Sequence, residues 1–167
     1  MSYSIESLNQ MDEAAFVSAL GAIFEDTPEI ARETWQYRPF TDVNSLYTRM
    51  IAIVNAFSLE EKLTLIRAHP DLGTRAKMAD ASVKEQAGVG LDRLTPEEFD
   101  RFQSLNQAYR DKFGFPFIIA VKNHTKESIL DNFEERLSNE VGEEIDRAIA
   151  EIGKIAGFRL ADTVSGS

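Results

Sequence analysis

Residues 58–73 read SLEEKLTLIRAHPDLG, and this stretch describes a short amphipathic helix with a recognisable beginning and end. Ser58, with Glu61 three positions later, matches the capping box that starts a helix. Apolar residues then recur at helical spacing as far as His69-Pro70. Because proline disfavours the α conformation in the residue before it, we expect His69 to leave the helix and to turn its imidazole out of the regular packing.

The position of His69 at a helix end has two interpretations. A histidine there lies at the negative end of the helix dipole and titrates close to neutral pH, which suits a catalytic acid or base. Alternatively, His69 is a polar C-terminal residue with no chemistry. The pattern alone leaves both interpretations open.

Outward from this stretch, the chain carries further helical patterns. Asn9 can cap a helix whose apolar face includes Phe16, and Thr27-Pro28 can start the next one, with proline at the first helical position. The region from Val43 to Phe57 has the spacing of a core helix. A second capping box at Thr95-Pro96-Glu97-Glu98 precedes a stripe formed by Phe99, Phe102, Leu105, Tyr109 and Phe113.

The C-terminal third predicts two more helices. The apolar residues of the first are Ile129, Leu130, Phe133 and Leu137, and those of the second are Val141, Ile145, Ile149, Ile152 and Leu160. The stretch Phe115 to Val121 is the only candidate strand, and a single strand has nothing to pair with, so we expect a buried connector or a short helix. The fold class is therefore all-α: one irregular helical domain of roughly eight helices over residues 1–167, with a tail at about 162–167 that should fray.

Composition narrows the class of function. The 167 residues are 43% hydrophobic and carry a formal net charge of −10, with no run of basic residues, which argues against a nucleic-acid or anionic-membrane surface. The absence of cysteine excludes disulfides and thiolate chemistry. No apolar segment approaches the ~20 residues that cross a bilayer, and no secretory leader is visible, so we expect a soluble cytoplasmic protein. Neither a metal motif nor a phosphate-binding loop is present.

Ser82-Val83-Lys84-Glu85 is the second stretch of interest. It places a hydroxyl and a carboxylate one helical turn apart, near the start of a short helix predicted at about Val83 to Ala87. The same four residues match a capping box, in which Ser82 caps and Glu85 reaches back to the backbone. The two interpretations are compatible, because a capped helix start also directs free backbone donors at a ligand.

Three motifs in order resemble one family. They are His69-Pro70-Asp71-Leu72-Gly73, then Ser82-Val83-Lys84-Glu85-Gln86 with Gly90-Leu91, then Asn106-Gln107-Ala108-Tyr109 leading into Lys112-Phe113-Gly114-Phe115-Pro116-Phe117-Ile118-Ile119. They look like those of the OHCU decarboxylases, where OHCU is 2-oxo-4-hydroxy-4-carboxy-5-ureidoimidazoline. The resemblance runs from about Phe16 to the last helix. It implies an all-α, cofactor-free and metal-free enzyme of urate breakdown that forms (S)-allantoin and carbon dioxide, often as a homodimer.

The resemblance also implies roles for individual residues. His69 corresponds to the catalytic histidine and Glu85 to the catalytic carboxylate, while Pro70, Ser82 and Gln86 correspond to the wall of the substrate pocket. The segment Ile118, Ile119, Ala120, Val121 and Lys122 is similar to the stretch whose backbone holds the substrate ring, and the apolar Phe117-Ile118-Ile119 would line the pocket. Some relatives have arginine where this chain has Lys122, so a bidentate guanidinium contact is replaced by a point charge. His124 receives no role.

Two other classes of function stay open on sequence grounds. The first is an acidic helical interaction module without an active site, in which replacement of His69 by alanine would leave function intact. The second is a hydrolase of a ureide or cyclic amide in which His69 and Glu85 activate water. A hydrolase would release product without carbon dioxide, which distinguishes it from a decarboxylase.

Overall fold

The computed structural model describes residues 2–73 and 80–165. It is 66% helical, with nine helices and one two-stranded sheet in those ranges. In chain order the elements are β1 (Tyr3–Ser4), α1 (Ile5–Gln10), α2 (Glu13–Leu20), α3 (Glu29–Trp35), α4 (Val43–Asn55), α5 (Leu59–Arg67), α6 (Asp80–Gly88), α7 (Pro96–Phe113), α8 (Lys126–Arg136), α9 (Val141–Thr163) and β2 (Val164–Ser165). The predicted all-α class is confirmed. None of these helices combines the length and apolar character that a bilayer-spanning segment requires.

The chain divides into two compact units, and the boundaries fall inside α5 and α9. One unit comprises residues 1–62 with 153–167, and the other comprises residues 63–152. Every residue proposed for the site belongs to the second unit. The single domain over 1–167 stays a prediction.

In the N-terminal unit, the core helix between Val43 and Phe57 is confirmed as α4. The role predicted for Asn9 is wrong. Asn9 lies inside α1, and its side chain accepts from the Phe40 N–H at 2.8 Å and donates to the Phe40 carbonyl at 2.9 Å. The helix that carries Phe16 is α2, and its cap is Asp12, which accepts from the Ala15 N–H. Asn9 and Asp12 both have side chains that are common at N-caps, and residue type alone did not show which of them caps α2.

Two helix starts agree with the sequence, and a third differs by one residue. The Ser58 and Glu61 side chains exchange hydrogen bonds with each other's backbone N–H, at 3.1 and 2.9 Å, as a capping box requires. Thr95 and Glu98 do the same at the start of α7. The helix α3 begins at Glu29, so Pro28 is its N-cap and not its first helical residue. The capping signals therefore predicted where α5 and α7 begin.

The helix around Ser82 is longer than expected. The described helix α6 runs from Asp80 to Gly88, so Ser82 lies inside it, and the capping-box interpretation of Ser82 and Glu85 is wrong. Residues 74–79, which precede α6, lie outside the described residues. The buried side chains of α6 are Ser82 and Gln86, which face the same way because they are four positions apart.

The stretch from Phe115 to Val121 is a buried connector without regular secondary structure, as predicted. The buried face of α9 differs from the expected one. Val141 is 45% exposed, whereas Glu144, Ala148 and Glu151 are buried. The physical reason is that both carboxylates have partners in the surrounding structure, and these partners offset the cost of burying charge.

The C-terminal segment has regular structure where we expected fraying. Asp162 and Thr163 complete α9, and Val164 and Ser165 pair in parallel with Tyr3 and Ser4. Val164 is 3% exposed. An apolar side chain with a place to be buried therefore holds this segment in position.

Candidate active site

His69 lies just beyond α5 and is buried, with 6% of its surface exposed. Its backbone N–H still donates to the Ile66 carbonyl at 3.2 Å, which closes the helix before Pro70. The imidazole Nδ1 lies 3.0 Å from the Leu65 carbonyl oxygen. A carbonyl can only accept, so Nδ1 carries a proton in this bond, and Nε2 is the nitrogen that can gain or lose one.

The loop that follows His69 is attached to two helices by neutral side chains. Gln86 of α6 accepts from the Gly73 N–H at 3.0 Å and donates to the Asp71 carbonyl at 3.3 Å. Asn106 of α7 donates to the Leu72 carbonyl at 2.9 Å. The structure therefore places the loop that begins at His69 against α6, the helix that carries Glu85.

Gly73 allows this loop its shape. Its φ is +67°, and a Cβ there would lie 2.8 Å from Leu94 Cδ1 and 3.4 Å from the Phe102 ring. The left-handed backbone and the tight approach both favour glycine. Gly73, the last residue of the first motif, is therefore needed for the conformation of the loop.

The residues predicted on α6 are placed as follows. Ser82 and Gln86 are buried, at 4% and 7% exposure, and Glu85 between them is partly exposed. Pro70 is also partly exposed. Since Gln86 bonds directly to the loop after His69, the face of α6 that carries Ser82 and Gln86 adjoins that loop.

The second predicted group is the connector before α8. Lys122 is exposed. The other five predicted residues are buried, each at most 6% exposed: Phe117, Ile118, Ile119, Ala120 and Val121. The Ile118 carbonyl accepts from Arg136 Nη1 at 2.6 Å, and the Ala120 N–H donates to Glu151 Oε1 at 3.0 Å. Charged side chains of α8 and α9 therefore hold the backbone of this connector.

Behind this connector lies a buried group of polar side chains. Arg136 Nε donates to Glu144 Oε1 at 2.9 Å, with the two side chains 2% and 0% exposed. The Tyr109 hydroxyl donates to the same oxygen, and Asn139 Nδ2 donates to Oε2 at 2.9 Å. Arg136 also lies 4.3 Å from the centre of the Phe117 ring. Burial, and secondly the bond to the Glu144 carboxylate, raise the pKa of Tyr109 well above its usual range.

Some backbone groups of the connector do not form hydrogen bonds with the described residues. Within the described ranges, the Ile119 N–H and C=O and the Val121 N–H have no hydrogen-bond partner, although both residues are buried. Buried backbone groups are nearly always paired in folded proteins. These groups are therefore candidates for contacts with a bound polar molecule.

Sequence reasoning missed Arg136, Glu144 and Glu151. A signal was present, because Arg136 continues the buried spacing of Ile129 and Phe133, and Glu144 and Glu151 stand seven positions apart on one face of α9. Opposite charges at apolar positions of neighbouring helices would have indicated a buried pair. The other histidine, His124, bonds through Nδ1 to the Ser128 hydroxyl at the start of α8.

Chemically, the loop after His69 and the adjoining helix α6 carry a buried imidazole, the amide of Gln86, the hydroxyl of Ser82 and the partly exposed carboxylate of Glu85. Such a set can bind a flat polar molecule and move protons. Among the described residues, no group of three or more histidines and carboxylates could hold a metal ion.

The chain is similar to one known family of proteins over most of its length. The family model of OHCU decarboxylase matches residues 9–161. The chain is 43% identical over 159 residues to the 2-oxo-4-hydroxy-4-carboxy-5-ureidoimidazoline decarboxylase of Halalkalicoccus jeotgali, which covers 95% of this chain and 90% of that protein. It is also 43% identical to the uric acid degradation bifunctional protein PucL of Bacillus subtilis, over 98% of this chain and 33% of that protein.

A solved structure supports the same assignment. The crystal structure of (S)-allantoin synthase superposes with a TM-score of 0.82 at 32% identity, covering 99% of this chain and 55% of that chain. The family match spans all three motifs and the connector, and the identities extend over nearly the whole chain. The chain belongs to the OHCU decarboxylase family.

Proposed function

We propose that this chain is a carboxy-lyase of urate breakdown that converts OHCU into (S)-allantoin and carbon dioxide. One observation carries the proposal: the loop after His69 is bonded to the helix that bears Glu85, in a chain whose residues 9–161 match the OHCU decarboxylase family. Relatives that are named OHCU decarboxylase favour decarboxylation over the hydrolase and the interaction module.

The proposed reaction needs a place for the electron pair that carbon dioxide leaves behind. When the bond between the ring carbon and the carboxylate breaks, its electron pair forms a C=C bond to the neighbouring ring carbon, the π pair of the ring C=N bond moves onto the nitrogen, and that nitrogen takes a proton. The resulting enol then loses its hydroxyl proton and becomes the carbonyl of allantoin, as the neighbouring carbon takes a proton. The substrate supplies its own electron sink, so we propose that no cofactor takes part.

His69 is proposed to handle the proton of the substrate hydroxyl. Its Nδ1 is engaged with the Leu65 carbonyl, which fixes the ring and directs the chemistry to Nε2. Proton transfer by a positioned side chain contributes ~10²–10⁴ in rate. A ring held by its own helix is well suited to this task, because it keeps one orientation while the substrate changes.

Glu85 is proposed to accept hydrogen bonds from N–H groups of the ring or the ureido arm. Ser82 and Gln86, on the same helix, would form the wall beside it with Pro70. Holding one face of the substrate toward the proton source sets the handedness of the product. OHCU also decays slowly without an enzyme, so orientation matters as much as lowering the barrier.

The connector is proposed to form the opposite wall. The Ile119 N–H and C=O and the Val121 N–H would pair with polar groups of the ring, while the apolar side chains of Phe117 to Val121 keep water away from the carboxylate. Ala120, whose N–H donates to Glu151, adds its small apolar side chain to this wall. We propose that Lys122 adds a positive charge near the carboxylate, in place of a bidentate contact.

We further propose that the chain works as one domain, as a homodimer, and in the cytoplasm. Size-exclusion chromatography with light scattering would test the dimer. These proposals are independent of the chemistry, since all the residues given roles above lie within residues 63–152.

The proposed function is tested by supplying freshly generated OHCU to the pure protein and following the circular dichroism of allantoin together with carbon dioxide release. We expect fast formation of the S enantiomer. His69→Ala should lower the rate by ~10²–10⁴. Racemic allantoin formed at the uncatalysed rate by the unaltered protein would overturn the proposal, and product without carbon dioxide would indicate a hydrolase.

A further inference from the structure

The connector Phe117 to Val121 has no ladder of backbone hydrogen bonds to fix its shape. Within the described ranges, three hydrogen bonds reach its backbone: Arg136 to the Ile118 carbonyl, the Ala120 N–H to Glu151, and the His124 N–H to the Val121 carbonyl. Two of the three come from charged side chains that are themselves 2% exposed. An irregular segment with so few bonds depends on each of them for its conformation.

The two charged side chains are in turn fixed by partners. Arg136 pairs with Glu144, which also accepts from Tyr109 and Asn139. Glu151 Oε2 lies 3.3 Å from Arg147 Nε. These arrangements place a donor at the Ile118 carbonyl and an acceptor at the Ala120 N–H from different helices.

We propose that Glu151 and Arg136 are positioning residues of the active site, which hold the connector so that the Ile119 and Val121 backbone groups face the substrate. The inference rests on the proposed function, because it assigns a task to residues outside the three motifs. Neither side chain touches the substrate in this proposal. Arg136 and Glu151 occupy the Ile118 carbonyl and the Ala120 N–H. The Ile119 N–H and C=O and the Val121 N–H then remain for the substrate ring.

Glu151 gives the sharper test, because the arginine paired with its second oxygen is partly exposed. Arg147 is 43% exposed and can be solvated when Glu151 is replaced. Glu151→Leu removes the acceptor of the Ala120 N–H and leaves the Arg147 guanidinium accessible to water. Glu151→Gln keeps an oxygen acceptor at that position and loses only the charge. Arg147→Gln removes the ion pair and keeps the bond to Ala120.

The experiment measures kcat, KM and the enantiomeric excess of allantoin for these three variants and the unaltered protein. We expect Glu151→Leu to lower kcat/KM by about tenfold, mainly through KM, and to lower the enantiomeric excess. Glu151→Gln and Arg147→Gln should stay within about threefold of the unaltered protein. KM does not depend on how much protein is folded, and neither does enantiomeric excess once the racemic product of uncatalysed decay has been subtracted, so a merely structural role would move neither.

A second pair of variants decides the matter if Glu151→Leu gives no soluble protein. Arg136→Lys keeps the charge beside Glu144 but loses the fork that reaches the Ile118 carbonyl. Arg159→Lys is its match, since Arg159 also joins a buried glutamate, Glu25, to a backbone carbonyl, that of Ala22. We expect KM and enantiomeric excess to change only in Arg136→Lys.

The outcomes separate the two proposals. If the unaltered protein forms (S)-allantoin rapidly and Glu151→Leu matches it in KM and enantiomeric excess, the positioning role is wrong and the proposed function stands. Equal behaviour of Arg136→Lys and Arg159→Lys would overturn it in the same way. If the unaltered protein itself gives racemic product at the uncatalysed rate, the proposed function is what fails.

Discussion

The two irregular segments of the candidate site are held in opposite ways. The loop from His69 to Gly73 is attached by the neutral amides of Gln86 and Asn106. The connector from Phe117 to Val121 is held by the buried charges of Arg136 and Glu151. Neutral amides cost little to bury once they are bonded, whereas a buried charge that loses its partner is very costly. The comparison indicates that the connector's support should be far more sensitive to single substitutions than the support of the loop.

We expect the largest effect from Arg136→Met, which removes one of the buried charges that hold the connector. It leaves the Glu144 carboxylate, which is 0% exposed, without its cation, so we expect a loss of about 3–5 kcal/mol in the free energy of unfolding. Urea denaturation measures it. Arg101→Met is the matched control, because the Arg101–Glu134 pair is exposed and should contribute below about 1 kcal/mol. Similar losses in both variants would remove the distinction between the segments.

Tyr109→Phe measures how much one hydrogen bond to the buried Glu144 carboxylate contributes to stability. It removes a donor to the Glu144 carboxylate, and we expect a loss of about 1.5–3 kcal/mol in the free energy of unfolding at neutral pH. The folded-state pKa of Tyr109 is raised, so its stabilisation is complete below the unfolded pKa of about 10 and is lost as the pH rises above it. The unaltered protein should therefore lose stability more steeply than Tyr109→Phe above about pH 10.

The control for the alkaline effect is Tyr37→Phe, since Tyr37 is 49% exposed. Denaturant titrations of all three proteins between neutral pH and pH values above about 10 give the comparison. If the stability difference between Tyr109→Phe and the unaltered protein is the same at every pH, Tyr109 does not titrate differently in the folded protein.

Gly73→Ala tests the loop by its backbone. A Cβ at φ +67° would be strained and would meet Leu94 at 2.8 Å, so we expect a loss of about 1–3 kcal/mol in the free energy of unfolding. Gly88→Ala is the match, because a Cβ there meets nothing within 4 Å. Thermal or urea unfolding of both variants measures the difference. A neutral Gly73→Ala would show that the loop does not need the conformation described here.

The smallest effect concerns the exposed ion pair on the same loop. Arg110 Nη2 lies 3.0 Å from Asp71 Oδ1, with the side chains 45% and 26% exposed. We expect Asp71→Asn to cost about 0–1 kcal/mol in unfolding free energy, and the cost to shrink at high salt. A larger, salt-independent loss would mean that the Asp71–Arg110 ion pair also fixes the loop. The loop and the connector would then not differ in the kind of side chain that supports them.

The sequence predicted the parts of the site that depend on local signals. The His69-Pro70 helix end, the capping boxes at Ser58 and Thr95, and the buried connector all follow from neighbouring residues. The connector was recognised because an isolated apolar stretch has no partner strand. These features need no knowledge of distant parts of the chain.

What the sequence did not predict depends on contacts between distant residues. Asn9 has the residue type of a helix cap, yet its partner is Phe40, 31 positions away. Glu144 and Glu151 were left out of the predicted core because carboxylates are rarely buried. Their burial follows from Arg136 and from the backbone of Ala120, which reach them only in the folded chain. Ser82 was misassigned because a serine with a glutamate three positions later occurs inside helices as well as at their starts.

The pairing of Tyr3–Ser4 with Val164–Ser165 brings the beginning and the end of the described chain side by side. A flexible linker of about five residues would then span from Ser165 back to Ser2. Such a circular permutant, opened in the exposed turn between Asp92 and Arg93, should keep every contact of the proposed site. Ser4 and Ser165 are paired residues, so a reporter attached to the side chain of one would lie near a reporter attached to the other.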